Sequence, residues 1–403
     1  GKMPIPVADA EKTKALRRQY INALKENAFA QLLSKYGTAG ITESSAMSGD
    51  SPVKNWAGAG VTDFPTASKI SDDAVIAFEE KKFGCWHCPI ACGGHVTIKD
   101  GPFAVTDGHK PEYETLSMFG SLMLNDNLES ITKINDVCNR AGMDTSSTGS
   151  AISFAIECYE NGVLTKEDTE GLELTWGNAE AVVALTEKIA RREGLGDLLA
   201  DGIQQAARKI GKGAEQYAIH VGGQEVPAHD PKFNPGLGMA YVLDATPARH
   251  TQACAPAGGL DIKERDHLDY TGRGEDQSKA VNITHVVNAA GLCLFGHMCL
   301  NAQSIPDFLT AITGRTYTME DCLELGERIG TLRHLFNLRE GLNPLDRPLH
   351  ARLIGDPPLT EGPLKDVTLD MDKMVGDYLK MMDWDPKTTV PSPEKLAALG
   401  LEA

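Results

Sequence analysis

The sequence has few cysteines, a shortage of basic residues and no long apolar run, and each shortage excludes a class of protein. Nine cysteines among 403 residues are too few for the disulfide framework of a small secreted domain. Lys and Arg number 39 against 56 Asp and Glu, and the formal charge of −17 argues against nucleic acid or an anionic membrane as a partner. No stretch can span a bilayer and the first residues do not resemble a secretory signal, so we expect a cytoplasmic protein.

The composition is that of an ordinary globular protein, 41% hydrophobic, with apolar residues spaced mainly at helical intervals. We therefore predict a mainly α fold. The predicted helices cover residues 9–27, 125–141, 148–161, 178–192, 197–210, 276–299, 319–338 and 370–382. Strand signals are limited to residues 96–98 and 217–221. A polar turn at 211–216 predicts two mainly helical domains, residues 1–215 and 216–403.

Three cysteines, Cys85, Cys88 and Cys92, have the tight spacing C-x2-C-x3-C. Thiolates this close in the chain can converge on one centre, and an iron–sulfur cluster requires four such ligands. Among the other six cysteines, Cys293 stands out because a glycine two residues earlier leaves room for a bulky group. The spacing alone leaves a second interpretation open, a structural zinc held by the three cysteines and His95. A non-catalytic scaffold, in which either centre only joins two helical domains, is the third.

The cluster segment, Cys-x-x-Cys-Pro-Ile-Ala-Cys-Gly, resembles the cluster motif of the aldehyde ferredoxin oxidoreductase family of tungsten, sometimes molybdenum, pterin enzymes. The likeness extends over nearly the whole chain, because further segments resemble family motifs in the family's order. These segments are residues 36–40, 111–115, 138–149, 220–230, 244–250, 291–293, 326–329, 336–341 and 384–386. The resemblance implies that Cys85, Cys88, Cys92 and Cys293 bind a 4Fe–4S cluster. Two helical domains would then clasp an iron–sulfur and pterin site.

The resemblance also implies two loops that face the pterin. Their candidate contact residues are Asp144, Thr145 and Gly149 in the first loop and Asn288, Gly291 and Leu292 in the second. The second loop departs from the family pattern at two positions. Asn288 stands where an Asp is usual and keeps its size without its charge, and Leu294 replaces a usual Lys. These changes would be expected of a subfamily with a different substrate.

Three residues near the implied metal are the catalytic candidates. Glu114 matches the family's glutamate beside the metal and is the candidate general base, with Glu112 as the competing carboxylate. An acidic residue at the start of a helix is also favoured by the helix dipole, which is the structural alternative for Glu114. His250 matches a histidine that would hydrogen-bond the metal's oxygen ligand or the substrate carbonyl. Tyr113 is the candidate for orienting substrate, and packing beside the cluster loop is its alternative.

The implied activity is oxidation of an aldehyde to a carboxylic acid, with electrons passing through the 4Fe–4S cluster to ferredoxin or another carrier. The runner-up within the family is the tungsten subunit of an aromatic acyl-CoA reductase. Family members carry an N-terminal β-rich domain that forms the base of the pterin site, and this sequence contains no segment like it. We therefore expect that domain, or a separate subunit, as a partner. A homodimer is a further expectation.

Overall fold

The computed structural model describes residues 6–252, 258–263, 265–266 and 268–401 of the chain. Helices form most of this part, which confirms the prediction of a mainly α fold. Helices α1 to α10 are Ala10–Glu26, Ala28–Tyr36, Thr42–Ser48, Asp72–Ile76, Tyr113–Phe119, Leu128–Ala141, Thr145–Glu160, Ala179–Arg191, Leu195–Leu199 and Ile203–Ile210. Helices α11 to α18 are Pro235–Leu243, Arg273–Ala289, Leu294–Met298, Ser304–Thr313, Met319–Arg339, Ala351–Ile354, Met371–Met382 and Pro393–Ala398. None of the helices in the described ranges is both long enough and apolar enough to cross a membrane.

Six of the predicted helices are confirmed to within a few residues, and side-chain caps account for several of their starts. Asn127 caps α6 and Asn178 caps α8 by accepting a backbone N–H from the first turn. Thr318 and Asp321 form a reciprocal capping box at the start of α15. Gly142 ends α6 in the left-handed conformation that glycine adopts without strain.

Two predicted helices are wrong as continuous elements. The segment 197–210 divides into α9 and α10, because Gly202 has a φ of +88° and interrupts the helical path. The segment 276–299 divides into α12 and α13, because Gly291, between them, has a φ of +68° and interrupts the helical path. The second break positions the candidate site, since it places Cys293 at the start of a helix instead of in its interior.

Strands β1, Glu79–Phe83, β2, Gly93–Ile98, and β3, Val105–His109, form an antiparallel sheet with β2 in the middle. Buried residues alternate with half-buried ones along β2, as in a strand with one face on the core. The loop that joins β1 to β2 carries the three clustered cysteines. A second, two-residue hairpin pairs β4, His220–Val221, with β5, Gln224–Glu225.

The largest buried core contains residues from both sides of residue 215 and extends from Ala39 to Trp384. Helix α7 lies within it, because residues 148–158 of this helix are all buried. The buried core of the described residues therefore does not divide at 211–216. The division into domains 1–215 and 216–403 stays a prediction.

A buried ionic network ties the two halves of the chain together behind this core. The guanidinium of Arg352 donates to both carboxylate oxygens of Glu157, at 2.8 and 2.6 Å, and also to the carbonyl oxygen of Asn55 at 2.9 Å. The Asn55 amide donates to Glu157 at 2.6 Å and to the carbonyl oxygen of Tyr217 at 3.0 Å. In such a bidentate ion pair each charge is balanced by the other. Removal of one partner therefore leaves an uncompensated charge.

We expect the substitution Glu157→Gln to destabilise the chain by about 3 kcal/mol, because the Arg352 charge loses its partner in a largely buried place. Chemical denaturation followed by circular dichroism measures this change. The matched control is Glu173→Gln, since the pair of Glu173 with Lys166 has the same short contact, 2.8 Å, but lies at the surface with side chains 64% and 62% exposed. The control should unfold at the same denaturant concentration as the parent chain. Equal midpoints for the two variants would show that the network adds no stability.

Candidate active site

The cysteine loop between β1 and β2 is tightly coiled. The N–H of Cys88 donates to the carbonyl oxygen of Cys85 at 2.9 Å, which closes a turn over the first two thiols. His87 and Ala91 have φ angles of +56° and +52°, a conformation that non-glycine residues adopt only where their surroundings impose it. Cys85 is exposed, whereas Cys88 and Cys92 are half-buried. The backbone of the loop is therefore strained at two positions among its three cysteines.

The second half of the chain brings Cys293 to this loop. Cys293 immediately precedes α13 and is exposed. Phe295 and Cys299, which lie on α13 and at its end, join the same apolar cluster as Cys88 and Cys92. Burial raises the pKa of the Cys92 thiol, and the negative charges of Glu112 and of Cys293 raise it further. Cys88, Cys92 and Cys293 thus lie near one another, although Cys293 is about 200 residues away in the chain.

The geometry of the cysteines differs from that of a preformed zinc site. A tetrahedral zinc with Zn–S bonds of about 2.3 Å holds its ligand atoms roughly 4 Å apart. Among the described residues, no three of Cys85, Cys88, Cys92 and His95 bring their ligand atoms within 4.8 Å of one another. The His95 Nδ1 atom lies 2.8 Å from Asp107 Oδ1, and its ring packs on Phe83. His95 is thus engaged with its own sheet.

A short series of contacts connects the cysteine loop to the carboxylates of α5. Gly37, with a φ of +68°, lies so close to the loop that a Cβ atom there would be 2.8 Å from the Cys92 carbonyl oxygen. The neighbouring Thr38 side chain hydrogen-bonds the Glu112 carboxylate and accepts the N–H of Tyr113 at 2.8 Å. Glu112 therefore faces the cysteine loop and Thr38, while Glu114 points into a different pocket.

Glu114 has one satisfied carboxylate oxygen and one that accepts no hydrogen bond. The Oε2 atom accepts the backbone N–H of Ala228 at 2.8 Å and the hydroxyl of Ser146 at 3.1 Å. The Oε1 atom is buried without a hydrogen bond, and lies 3.6 Å from His229 Nε2 and 3.5 Å from His250 Nε2. A buried carboxylate oxygen without a hydrogen bond is available to a donor on a ligand.

The two histidines beside Glu114 have different surroundings. Asp50 Oδ2 lies 2.8 Å from His229 Nδ1. Burial disfavours the protonated form of His229, but the hydrogen bond and charge of Asp50, with the charge of Glu114, outweigh it and raise the pKa of His229. Burial lowers the pKa of His250, and the attraction of Glu114 only partly offsets this. Of the two histidines, His250 is therefore the one whose neutral form is favoured.

Tyr113 is 2% exposed and its hydroxyl is directed into the protein. It donates to the carbonyl oxygen of Ala228 at 2.5 Å and lies 3.0 Å from the Ser51 hydroxyl, and its ring packs 5.0 Å from that of His229. Burial and the charge of Asp50 raise the pKa of Tyr113 well above its ordinary range. The position of Tyr113 suits it to holding the segment that carries His229.

The first predicted pterin loop adjoins Glu114. Asp144 is exposed and caps α7, where its carboxylate accepts the N–H of Ser147 at 2.7 Å. Thr145 is half-buried and accepts the hydroxyl of Thr115 at 3.0 Å. Gly149 is buried, and a Cβ atom there would lie 2.8 Å from the Met118 side chain, so its small size serves the contact between α5 and α7.

The second predicted pterin loop lies at the end of α12 and is open to solvent. Asn288 donates its amide to Gln252 Oε1 at 3.2 Å and to the carbonyl oxygen of Thr251 at 3.3 Å, which places it beside the segment of His250. Gly291 has no atom within 4 Å of where a Cβ would lie, and Leu292 is 46% exposed. The structure therefore brings both loops to the surroundings of Glu114 and His250.

Sequence reasoning missed two members of this site, Asp50 and His229. His229 lies in a segment, residues 220–230, that resembles a family motif, and a histidine next to a motif aspartate was the available signal. Asp50 gave no signal, because it stands in a loop rich in small residues and its partner is 179 residues away.

Comparison with known proteins places the chain in a family. The family model for "Aldehyde ferredoxin oxidoreductase, domains 2 & 3" matches residues 15–401. The tungsten-containing aldehyde ferredoxin oxidoreductases of Pyrococcus furiosus and Thermococcus kodakarensis are 33% and 32% identical over 409 residues. Both alignments cover all of this chain and 66% of the relative's length.

A solved structure shows the same fold. A chain from the active-site complex of a benzoyl-coenzyme A reductase with 1,5-dienoyl-CoA superposes with a TM-score of 0.73 at 20% identity, over 98% of this chain and 65% of that one. A further relative, the "Aliphatic sulfonate oxidoreductase, WOR-like subunit" of Pyrococcus furiosus, is 29% identical over 425 residues. The chain belongs to the aldehyde ferredoxin oxidoreductase family and corresponds to that family's second and third domains.

Proposed function

We propose that this chain is the cluster-bearing part of an enzyme that oxidises an aldehyde to a carboxylic acid at a tungsten (or molybdenum) bis-pterin and passes the electrons through a 4Fe–4S cluster. The observation that carries the proposal is the buried Glu114 Oε1 atom, which accepts no hydrogen bond and stands between two imidazoles. A carboxylate held in this way is suited to accept a proton from a reacting water.

The cluster is supported by the convergence of Cys85, Cys88, Cys92 and Cys293 at one exposed edge. A cube of four irons and four sulfides holds its thiolates farther apart than a single zinc does, and no three of these four described thiols lie within 4.8 Å of one another. Trp86, between the first two cysteines, is 91% exposed. We propose that electrons leave at this edge to ferredoxin or a comparable carrier.

The pterin is supported by the chemistry of the two loops beside Glu114. Asp144, Thr145, Asn288, Gly291 and Leu292 present a carboxylate, a hydroxyl, an amide and open backbone there. When bound, the metal–pterin supplies the two-electron acceptor for the reaction. Because the chain covers 66% of its relatives, we propose that an N-terminal domain or a separate subunit completes the pterin site.

The residues of this chain supply the proton acceptor and the hydrogen-bond donor to the carbonyl oxygen of the substrate. Oxidation of an aldehyde to an acid adds one water oxygen and releases two electrons and two protons. Glu114 takes a proton from the water as it adds to the carbonyl carbon. Neutral His250, 3.5 Å from Glu114, donates a hydrogen bond to the carbonyl oxygen and stabilises the charge that develops there.

The second candidate function is reduction of an aromatic acyl-CoA by a tungsten subunit. Asn288 favours it, because its amide is bound to Gln252 and it offers no carboxylate to the pterin, unlike the usual residue at this position. Parallel assays of aldehyde oxidation and acyl-CoA reduction with one preparation of the assembled enzyme separate the two. Turnover of the thioester alone would replace the proposed reaction by this one.

We expect the anaerobically purified chain to contain about four iron and four sulfide per molecule, and Cys293→Ser to lose most of both, because three remaining thiolates bind the cluster weakly. Iron and acid-labile sulfide assays measure this loss. The control is Cys322→Ala, since Cys322 is buried in a separate apolar cluster and should leave the iron content unchanged. One zinc without sulfide in the parent chain would contradict the cluster and favour a structural metal.

We expect Glu114→Gln in the assembled enzyme to lower kcat for aldehyde oxidation about 10²-fold or more, since the amide cannot accept the proton. The iron and metal–pterin contents should stay at parent levels, which separates loss of chemistry from loss of cofactor. Glu112→Gln is the matched comparison, because this carboxylate faces Thr38 and the cysteine loop. An unchanged rate in Glu114→Gln would exclude this general base, and a cluster-bearing chain without any turnover would support the scaffold interpretation.

A further inference from the structure

Glu114 Oε1 lies between two Nε2 atoms at nearly equal distances, 3.6 Å to His229 and 3.5 Å to His250. One atom from each of the three side chains lies within 4.8 Å of the others, and the two imidazole rings are 5.1 Å apart. The two histidines are therefore alike in their distance to the carboxylate. His229 has, in addition, a carboxylate on the far side of its ring.

Asp50 occupies that far side. Its Oδ2 atom lies 2.8 Å from His229 Nδ1, and its side chain is 11% exposed. A carboxylate at this distance accepts a hydrogen bond from Nδ1–H and so keeps the proton of neutral His229 on Nδ1. The lone pair of Nε2 is then directed at Glu114. The N–H of Asp230 donates to the Asp50 carbonyl oxygen at 2.8 Å, so the backbone beside His229 is attached to the same segment.

We propose that Asp50, His229 and Glu114 form a proton relay, in which His229 receives at Nε2 the proton that Glu114 takes from the reacting water, and Asp50 fixes the His229 tautomer. This inference rests on the function proposed above and adds to it the route by which the proton leaves Glu114. His229 acts through Glu114, and Asp50 acts through His229.

The protons balance over Asp50, His229 and Glu114. The relay starts from the form in which Glu114 is a carboxylate and His229 carries one proton, on Nδ1, which is the form of His229 above its pKa. Glu114 gains a proton from water and passes it to His229 Nε2, so that Glu114 is again ionised and His229 is an imidazolium between two carboxylates. His229 then releases the Nε2 proton to solvent, to which its side chain is 20% exposed. No electron moves in these steps.

The groups that surround His229 agree with this assignment. Asp50 follows α3, Glu114 and Tyr113 belong to α5, and His250 comes from the segment after α11. The two carboxylates favour the imidazolium of His229, and the Tyr113 hydroxyl stays neutral because burial and the Asp50 charge raise its pKa. His250 remains neutral, because burial lowers its pKa. Two titratable groups with opposite shifts beside one carboxylate are typical of an acid–base site.

The test begins with the chain alone, labelled with ¹³C-histidine and titrated by NMR. We expect His229 to be protonated at Nδ1 when neutral and to titrate at a higher pH than His250. In Asp50→Asn the His229 midpoint should move to lower pH, because the charge that stabilises the imidazolium is lost. Asp126→Asn is the control, since Asp126 pairs with Lys69 at the surface and should leave both midpoints in place. A midpoint for His229 below that of His250, or one insensitive to Asp50→Asn, would overturn the relay.

The second arm uses the assembled enzyme. His229→Gln and Asp50→Asn should lower kcat about tenfold or more at parent iron content, and in Asp50→Asn the acidic limb of the kcat–pH profile should shift to lower pH. A purely structural role for Asp50 would not move that limb. If Glu114→Gln abolishes turnover while both relay variants keep the parental kcat and pH profile, the relay is wrong and the proposed function stands. If Glu114→Gln keeps full activity, Glu114 is not the general base and the relay fails with it. If the assembled parent enzyme oxidises no aldehyde, the proposed function fails whatever the NMR titration shows.

Discussion

The candidate site depends on one hydrogen bond between distant parts of the chain, from the N–H of Ala228 to the Glu114 carboxylate. This bond occupies Oε2 and so turns Oε1 toward the two histidines. The donor comes from the segment that carries His229, and Tyr113, next to Glu114, donates its hydroxyl back to the Ala228 carbonyl oxygen. The N–H and C=O groups of Ala228 therefore fix the position of this segment relative to α5. The acid–base geometry follows from that attachment.

A few direct contacts likewise link the acid–base site to the cysteine loop. Gly37 lets the backbone touch Cys92, and Thr38 bonds both Glu112 and the backbone of Tyr113. A side chain at Gly37 would displace the loop, because its Cβ would lie 2.8 Å from the backbone carbonyl oxygen of Cys92. The distance between the cysteine loop and the Glu114 carboxylate is thus set by backbone contacts.

Sequence reasoning succeeded where the signal is local. The starts of α8 and α15 and the spacing of the first three cysteines are properties of a few neighbouring residues, and six helices lie where the periodicity predicts them. It failed at Gly202 and Gly291, since a glycine within an apolar pattern is compatible with both a helix and a break. Strand β1 gave no signal because its sequence is mostly charged and exposed. The pairing of Asp50 with His229 is a tertiary contact, and no pattern within the chain encodes it.

The exposure of the cysteine loop bears on how the protein matures. Cys85 and Cys293 both face solvent, while Phe295 and Cys299 share one apolar cluster with Cys88 and Cys92. This packing helps to offset the entropy of closing a loop of about 200 residues. Because the packing leaves the thiols of Cys85 and Cys293 exposed, the proposed cluster would be inserted from the solvent side of the loop.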